Sequence, residues 1–307
     1  MLKNQLDRYI AHKQLLGYKL RDTSRQLKLF VKFLESENEQ FITRKNSEDW
    51  ANMGKSSYQR EVRMMRVAQF ANYLSLENER HEIPNRELFK YKYVRPIPYI
   101  YSNNEIQLIL ENLTLLRRHG KSDPNRPEIY LTLIGIIACT GMRVTEALNL
   151  KFSDILEGNI LYIRNTKFGK SRYIPLHPSA VVNLEKYLEL RRQLIVDHDY
   201  IFTGQYGNQL MSKIVSWNFL NIVRKLKIGA DRKTSPRVHD LRHTFATRSL
   251  EKCATTRNEV AKHFVALSTY LGHVDLKSTF WYLEATPSLM GKLSIDGEAL
   301  FRSGGMK

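Results

Sequence analysis

The chain has 307 residues and a mass of 36.0 kDa, more than a single domain commonly uses, so two domains are expected. Apolar residues make up 42% and charged residues 26%, which excludes a disordered or low-complexity chain. Lys and Arg number 48 against 31 Asp and Glu, a net charge of +17, and such a field suits a polyanion: nucleic acid first, an anionic membrane surface second.

The first helix carries Leu6, Ile10, Leu15 and Leu16 at roughly helical spacing. A second carries Leu27, Leu29, Phe30, Phe33 and Leu34. A third, from Ser56 to Leu76, carries Val62, Met65, Val67, Phe70, Ala71 and Leu74. Arg60, Arg63 and Arg66 recur every third residue on its other side and share one face. Such a row is either a solvated surface or a track for phosphates, and the charge of the chain favours phosphates. Residues 1–95 hold 19 basic and 12 acidic side chains, net +7, which leaves +10 for the remainder. Both halves are basic, so both are expected to touch one polyanion.

Two nearby prolines in Tyr91–Ser102 give a short stiff linker. Ser102 or Asn103 then caps a helix starting near Glu105. Ile129–Cys139 is a buried helix by its apolar content. Asn159–Thr166 and Ser171–Leu176 are β-rich runs around Lys167-Phe168-Gly169-Lys170, a hairpin pattern. A helix opens at His177-Pro178-Ser179 and runs to about Leu194, and from Ser216 the pattern is helical again.

The two cysteines, Cys139 and Cys253, cannot form a disulfide framework, and no Cys/His cluster has zinc spacing. Cys139 reads as a small buried hydrophobe. Met1–Lys13 is charged and lacks a signal-peptide core. The longest apolar run falls short of the roughly 18 residues that span a bilayer. A reduced, cytoplasmic protein with no membrane partner is expected.

Four polar clusters could carry chemistry. Arg143 and Glu146 lie three apart after the helix break at Gly141. Alone they read as a surface ion pair; an Arg oriented by an acid near a helix start is also a phosphate clamp. His239 and Arg242 share a helical face, with His243 expected to face elsewhere. His273 follows Gly272, and Tyr282 closes the run Ser278–Tyr282. Two arginines, two histidines, a hairpin lysine and a late tyrosine together suit attack by a phenolic oxygen on a phosphodiester. Arginine forks and a His donor match the extra charge on the non-bridging oxygens. A phenol, with a pKa near 10, needs a general base, and the departing 5′-oxygen needs an acid. No acidic cage of the two-metal type is visible.

These residues resemble the tyrosine recombinases of the phage integrase family. The resemblance lies in TGMRVTEAL (Thr140–Leu148), TKFGKSRYIPL (Thr166–Leu176), HDLRHTFAT (His239–Thr247), LGH (Leu271–His273) and STFWY (Ser278–Tyr282), in the family's order. It implies that Arg143 and Arg242 clamp the scissile phosphate and that His273 donates to it. Tyr282 is then the nucleophile that forms a 3′-phosphotyrosyl link. Lys167 is the general acid, with Lys170 as the spare, and His239 is the general base. Glu146 supports the clamp. Lys170 and Arg172 join Arg60, Arg63 and Arg66 as DNA contacts. Neither metal nor ATP is implied, so no cofactor is expected.

The implied fold is mainly α with a small antiparallel sheet, a two-domain C-shaped clamp on DNA. Its parts are a helical core-binding domain at 1–93, a linker at 94–102, a catalytic domain at 103–285, and a tail at 286–307 that docks on its own domain or in trans. The implied partners are double-stranded DNA with inverted-repeat core sites and further copies in a tetramer on synapsed DNA. A helper recombinase or an accessory DNA-bending protein is a candidate partner, and nucleoid association follows. The ending FWYLEATPSLM resembles recombinases of transposable or integrative elements. The stretch between Arg242 and His273 is longer than in compact members. Other readings are a type IB topoisomerase-like enzyme and a catalytically silent sequence-specific DNA-binding protein, which would have no use for Tyr282.

Overall fold

A computed structural model describes residues 2–92, 96–116, 125–164, 170–194, 198–204, 207–252, 257–273, 279 and 282. Lys167 and the tail 286–307 lie outside the described residues, as do Cys253 and the segment 274–278. The chain divides into two compact units, Met1–Pro96 and Ile97–Lys307.

The first unit is helical: α1 (Leu2–Leu15), α2 (Arg21–Ser36), α3 (Arg44–Asn52) and α4 (Ser57–Ser75), followed by a 3₁₀ turn at Arg86–Phe89. Ser56 starts α4 by accepting a hydrogen bond from the Gln59 amide at 3.2 Å. The core joins Leu6, Tyr9, Leu27, Phe30, Trp50 and Phe70. Leu15 and Leu16 are not part of it, being 87% and 59% exposed. Helix α1 ends at Leu15 and the chain turns away at Gly17, whose φ of +85° suits glycine.

The three-arginine row is likewise not the open track its spacing suggests. Arg63 donates to the Trp50 carbonyl at 2.9 Å and lies 4.4 Å over the indole ring. Arg66 pairs with Asp22 at 2.7 Å. Arg60 donates through Nε to the Gly54 carbonyl at 3.0 Å, though its side chain stays exposed. The row braces α4 against its own neighbours. Helical spacing told which residues share a face, not what that face packs on.

The second unit contains α5 (Asn103–Thr114), α6 (Arg126–Thr140), α7 (Val144–Leu148), β1 (Ile155–Leu156), β2 (Ile160–Ile163), β3 (Arg172–Pro175), α8 (Pro178–Arg192), α9 (Ser212–Lys225), α10 (Val238–Glu251) and α11 (Arg257–Leu271). Helix α5 opens with a capping box. Ser102 Oγ accepts from the Glu105 amide at 3.2 Å, and Glu105 accepts from the Ser102 amide at 2.7 Å. Helix α6 is apolar nearly all round and packs against α5, α8 and α10. Cys139 is nevertheless exposed, turned from the core toward a hollow lined by Leu110, Ile136 and Asn183.

The three strands form one antiparallel sheet in the order β1-β2-β3. Strand alternation sends Leu161, Ile163 and Ile174 into the core, while Tyr162 and Tyr173 stack on the other face at 5.1 Å. Arg172 pairs with Ile163 and sits two residues before Ile174, so it shares the inward face. Among the described residues no helix is long and apolar enough to cross a membrane.

Candidate active site

Two helix ends and two helix starts build the site. Helix α6 stops at Gly141, whose φ is +64° and whose amide bonds to the Ile137 carbonyl at 2.9 Å. A Cβ at Gly141 would lie 2.5 Å from Phe245 Cδ1 on α10, so only glycine lets the two helices approach this closely. Helix α11 stops at Gly272, with φ +67°, directly before His273. At the start of α10 the Asp240 carboxylate accepts from the Arg237 amide at 2.8 Å.

Arg242 ties the two helix ends together. It is 1% exposed. Its NH1 donates to the Gly141 carbonyl at 2.8 Å and its NH2 to the Leu271 carbonyl at 2.7 Å. NH2 also lies 3.0 Å from His273 Nε2. A guanidinium has only donors, so Nε2 accepts and the ring proton sits on Nδ1. Nδ1 is 2.6 Å from Thr279 Oγ1, which fixes the ring plane. Burial lowers the Arg242 pKa to about 10, against the pull of Tyr282, which is also its hydrogen-bonding neighbour.

Tyr282 is 3% exposed and packs among these groups in the same chain. Its ring centroid is 5.9 Å from His273 and 5.2 Å from His243. His243 does not face away from His239: the two rings meet edge to face at 4.8 Å, because residues four apart on a helix are neighbours. His239 is exposed at the start of α10, yet desolvation by its surroundings, and then the Arg242 charge, hold its pKa down to about 4, so the ring is neutral at physiological pH.

Arg143 and Glu146 lie at the start of α7. The Glu146 carboxylate accepts from the Arg143 amide at 2.9 Å and from Arg143 NH1 at 2.6 Å. It also accepts a fork from Arg172, NH1 at 3.2 Å and NH2 at 2.6 Å. Burial alone raises this carboxyl, but the Arg172 guanidinium and then Arg143 bring it down to about 2. Arg172, expected as an exposed DNA contact, has a side chain only 9% exposed and directed at Glu146. Lys170 is exposed just before β3. A cavity of about 450 Å³ opens beside Arg143 and is lined further by Lys151, Asp154, Tyr162 and Arg164. Asp154 and Arg164 form an ion pair there.

The structure therefore brings His239, Arg242, His273 and Tyr282 into one cluster, and joins Arg143 to Glu146. The places that three contributors take here were not read from the sequence. Thr279 lies three residues before Tyr282. His243 lies four after His239. Arg172 follows from the inward phase set by Ile174. Among the described residues no group of three or more His, Cys, Asp or Glu is placed to hold a metal ion.

Comparison with known proteins gives the class. The phage integrase family matches residues 102–288, which hold all of these groups. The chain belongs to this family and is a tyrosine-type site-specific DNA recombinase. Among its relatives is the "Putative integrase/recombinase y4rB" of Sinorhizobium fredii, 35% identical over 295 residues, covering 94% of each chain. Tyrosine recombinase XerC of Oceanobacillus iheyensis is 26% identical over 304 residues, covering 92% of this chain and 93% of that protein. The fold resembles a solved lambda integrase tetramer bound to a Holliday junction, with a TM-score of 0.61 and 20% identity over 89% of this chain and 77% of that one.

Proposed function

We propose that this chain cleaves duplex DNA at inverted-repeat core sites with Tyr282 and exchanges strands within a tetramer. The observation that carries the reading is the burial of Tyr282 beside Arg242 and His273 of its own chain. The phenolic oxygen attacks phosphorus, the bond to the 5′-oxygen breaks, and a 3′-phosphotyrosyl link forms. His239, held neutral, takes the phenol proton. Arg143 and Arg242 receive the phosphate oxygens, a bidentate match to the developing charge. Arrival of the phosphate anion favours a proton on His273 Nε2, which then donates to it. Lys167 protonates the leaving 5′-oxygen. A second strand's 5′-hydroxyl reverses the attack, and two such rounds pass through a Holliday junction, the substrate on which the similar lambda integrase was solved.

The first unit serves as the core-binding domain. The tail 286–307 docks on a neighbouring copy, a helper recombinase or DNA-bending protein assists assembly, and the enzyme works on the nucleoid.

A nicked suicide duplex carrying the core site tests this reading. The wild-type chain is expected to become covalently attached through a 3′-phosphate, in excess chelator, and Tyr282→Phe to give no adduct. An adduct formed by Tyr282→Phe, or an absolute requirement for magnesium, overturns the mechanism.

A further inference from the structure

Glu146 receives four hydrogen bonds, and they are shared out evenly. Oε1 takes Arg143 NH1 at 2.6 Å and Arg172 NH1 at 3.2 Å. Oε2 takes the Arg143 amide at 2.9 Å and Arg172 NH2 at 2.6 Å. A carboxylate has about four lone-pair sites, so none is left over and the group cannot turn without breaking a bond. Arg172 is the fixed end of this chain of contacts. It stands on the inward face of β3, paired in register with Ile163. Its guanidinium is also pressed against the residue before His273: a Cβ on Gly272 would lie 3.1 Å from Arg172 NH1. One side chain thus touches both the partner of Arg143 and the helix end that presents His273. Both terminal nitrogens are engaged by Glu146 and the side chain is only 9% exposed, which leaves it little access to a DNA phosphate. A buried ion pair of this kind adds little stability over an apolar replacement, so a role in geometry is the better account of it.

We propose that Arg172 is a positioning residue for strand cleavage: its fork on Glu146 locks the carboxylate that aims Arg143, making the small sheet the rigid mount of the phosphate clamp. The proposal rests on the role assigned above to Arg143.

The test uses the full chain and single-turnover cleavage of the nicked duplex at saturating protein, with half-site affinity and melting measured in parallel. Arg172→Met is expected to cut about 10- to 100-fold more slowly, the scale for losing the partner that orients a metal ligand. DNA affinity should stay within about twofold, because the Arg172 side chain is only 9% exposed and its fork faces Glu146. Arg172→Lys keeps the charge but not the fork and should fall in between; should Arg172→Met not fold, the lysine variant alone carries the comparison. The double variant Arg172→Met/Arg143→Ala should be no slower than Arg143→Ala, since one residue acts through the other. The proposal is overturned by unchanged cleavage in the Arg172 variants, by multiplicative losses in the double variant, or by a loss confined to binding. If Arg143→Ala itself cleaves normally, the clamp role fails and this inference falls with it. Neutral Arg172 variants beside an inactive Arg143→Ala sink this inference alone.

Discussion

Arg242→Ala is expected to damage the fold as well as the chemistry, and the structure sets the scale. The guanidinium is 1% exposed and donates to two carbonyls, those of Gly141 and Leu271. A hydrogen bond from a charged donor contributes about 1.5–3 kcal/mol, so the pair contributes about 3–6 kcal/mol. Burying the cation opposes this, as its lowered pKa records, and cancels part of the gain. A net loss of about 3 kcal/mol corresponds to roughly 6–12 °C in the melting of a unit of about 200 residues. Arg143→Ala makes the contrast. Its side chain is 26% exposed, and Glu146 keeps the Arg172 fork when it goes. The expected loss is about 1 kcal/mol or less, roughly 2–4 °C. Calorimetry of the whole chain, following the transition of the second unit, measures both, and both variants should lose at least about 10²-fold in adduct formation. Equal melting shifts for the two variants, or an Arg242→Ala shift below about 2 °C, would refute the view that Arg242 fastens the two helix ends.

Gly141→Ala should destabilise the second unit by about 1–3 kcal/mol, because φ is +64° and the new methyl meets Phe245; thermal melting reads this directly. Arg63→Ala should lower the melting of the first unit by about 1 kcal/mol through loss of the Trp50 contacts, with little change in DNA affinity measured by titration. Cleavage efficiency in the free enzyme should stay level as pH falls through 6.5 and drop only as His239 gains its proton, near its pKa of about 4. The same group makes the folded chain less stable in acid: its folded pKa lies below the ordinary value of 6.5, so stability is full above 6.5 and is lost as pH falls from there toward 4. A cleavage profile that falls off at pH 6.5 rules out a neutral, depressed His239 as the base.

How much of this could be read from sequence depended on how local each cause was. The helices of the second unit, the cap at Ser102 and the breaks at Gly141 and Gly272 follow from neighbouring residues, and their spacing was legible. The residues that gather around Arg242 were legible as separate clusters, since each sits beside a helix end. What joins them was not. Arg172 and Glu146 are 26 residues apart, and a basic side chain beside a basic hairpin reads first as exposed. The alternation leading to Ile174 held the clue. An apolar run marks a buried helix without marking which of its residues touches solvent, and Cys139 is one that does. The arginines at 60, 63 and 66 show the same limit in the first unit: charge and spacing were plain, but the packing of Arg63 on Trp50 required the fold.

The carbonyls that hold Arg242 set an asymmetry in how such a gene can decay. Tyr282→Phe removes a single hydroxyl from its contact with Arg242 and is expected to leave the chain folded. Arg242 cannot be exchanged so freely, because two backbone oxygens of the chain itself depend on it before any DNA arrives. A lineage that loses strand cleavage but keeps a binding or blocking role is therefore expected to discard its nucleophile early and its second arginine last. An arginine at this place in a silent relative would report a requirement of folding and not a surviving activity.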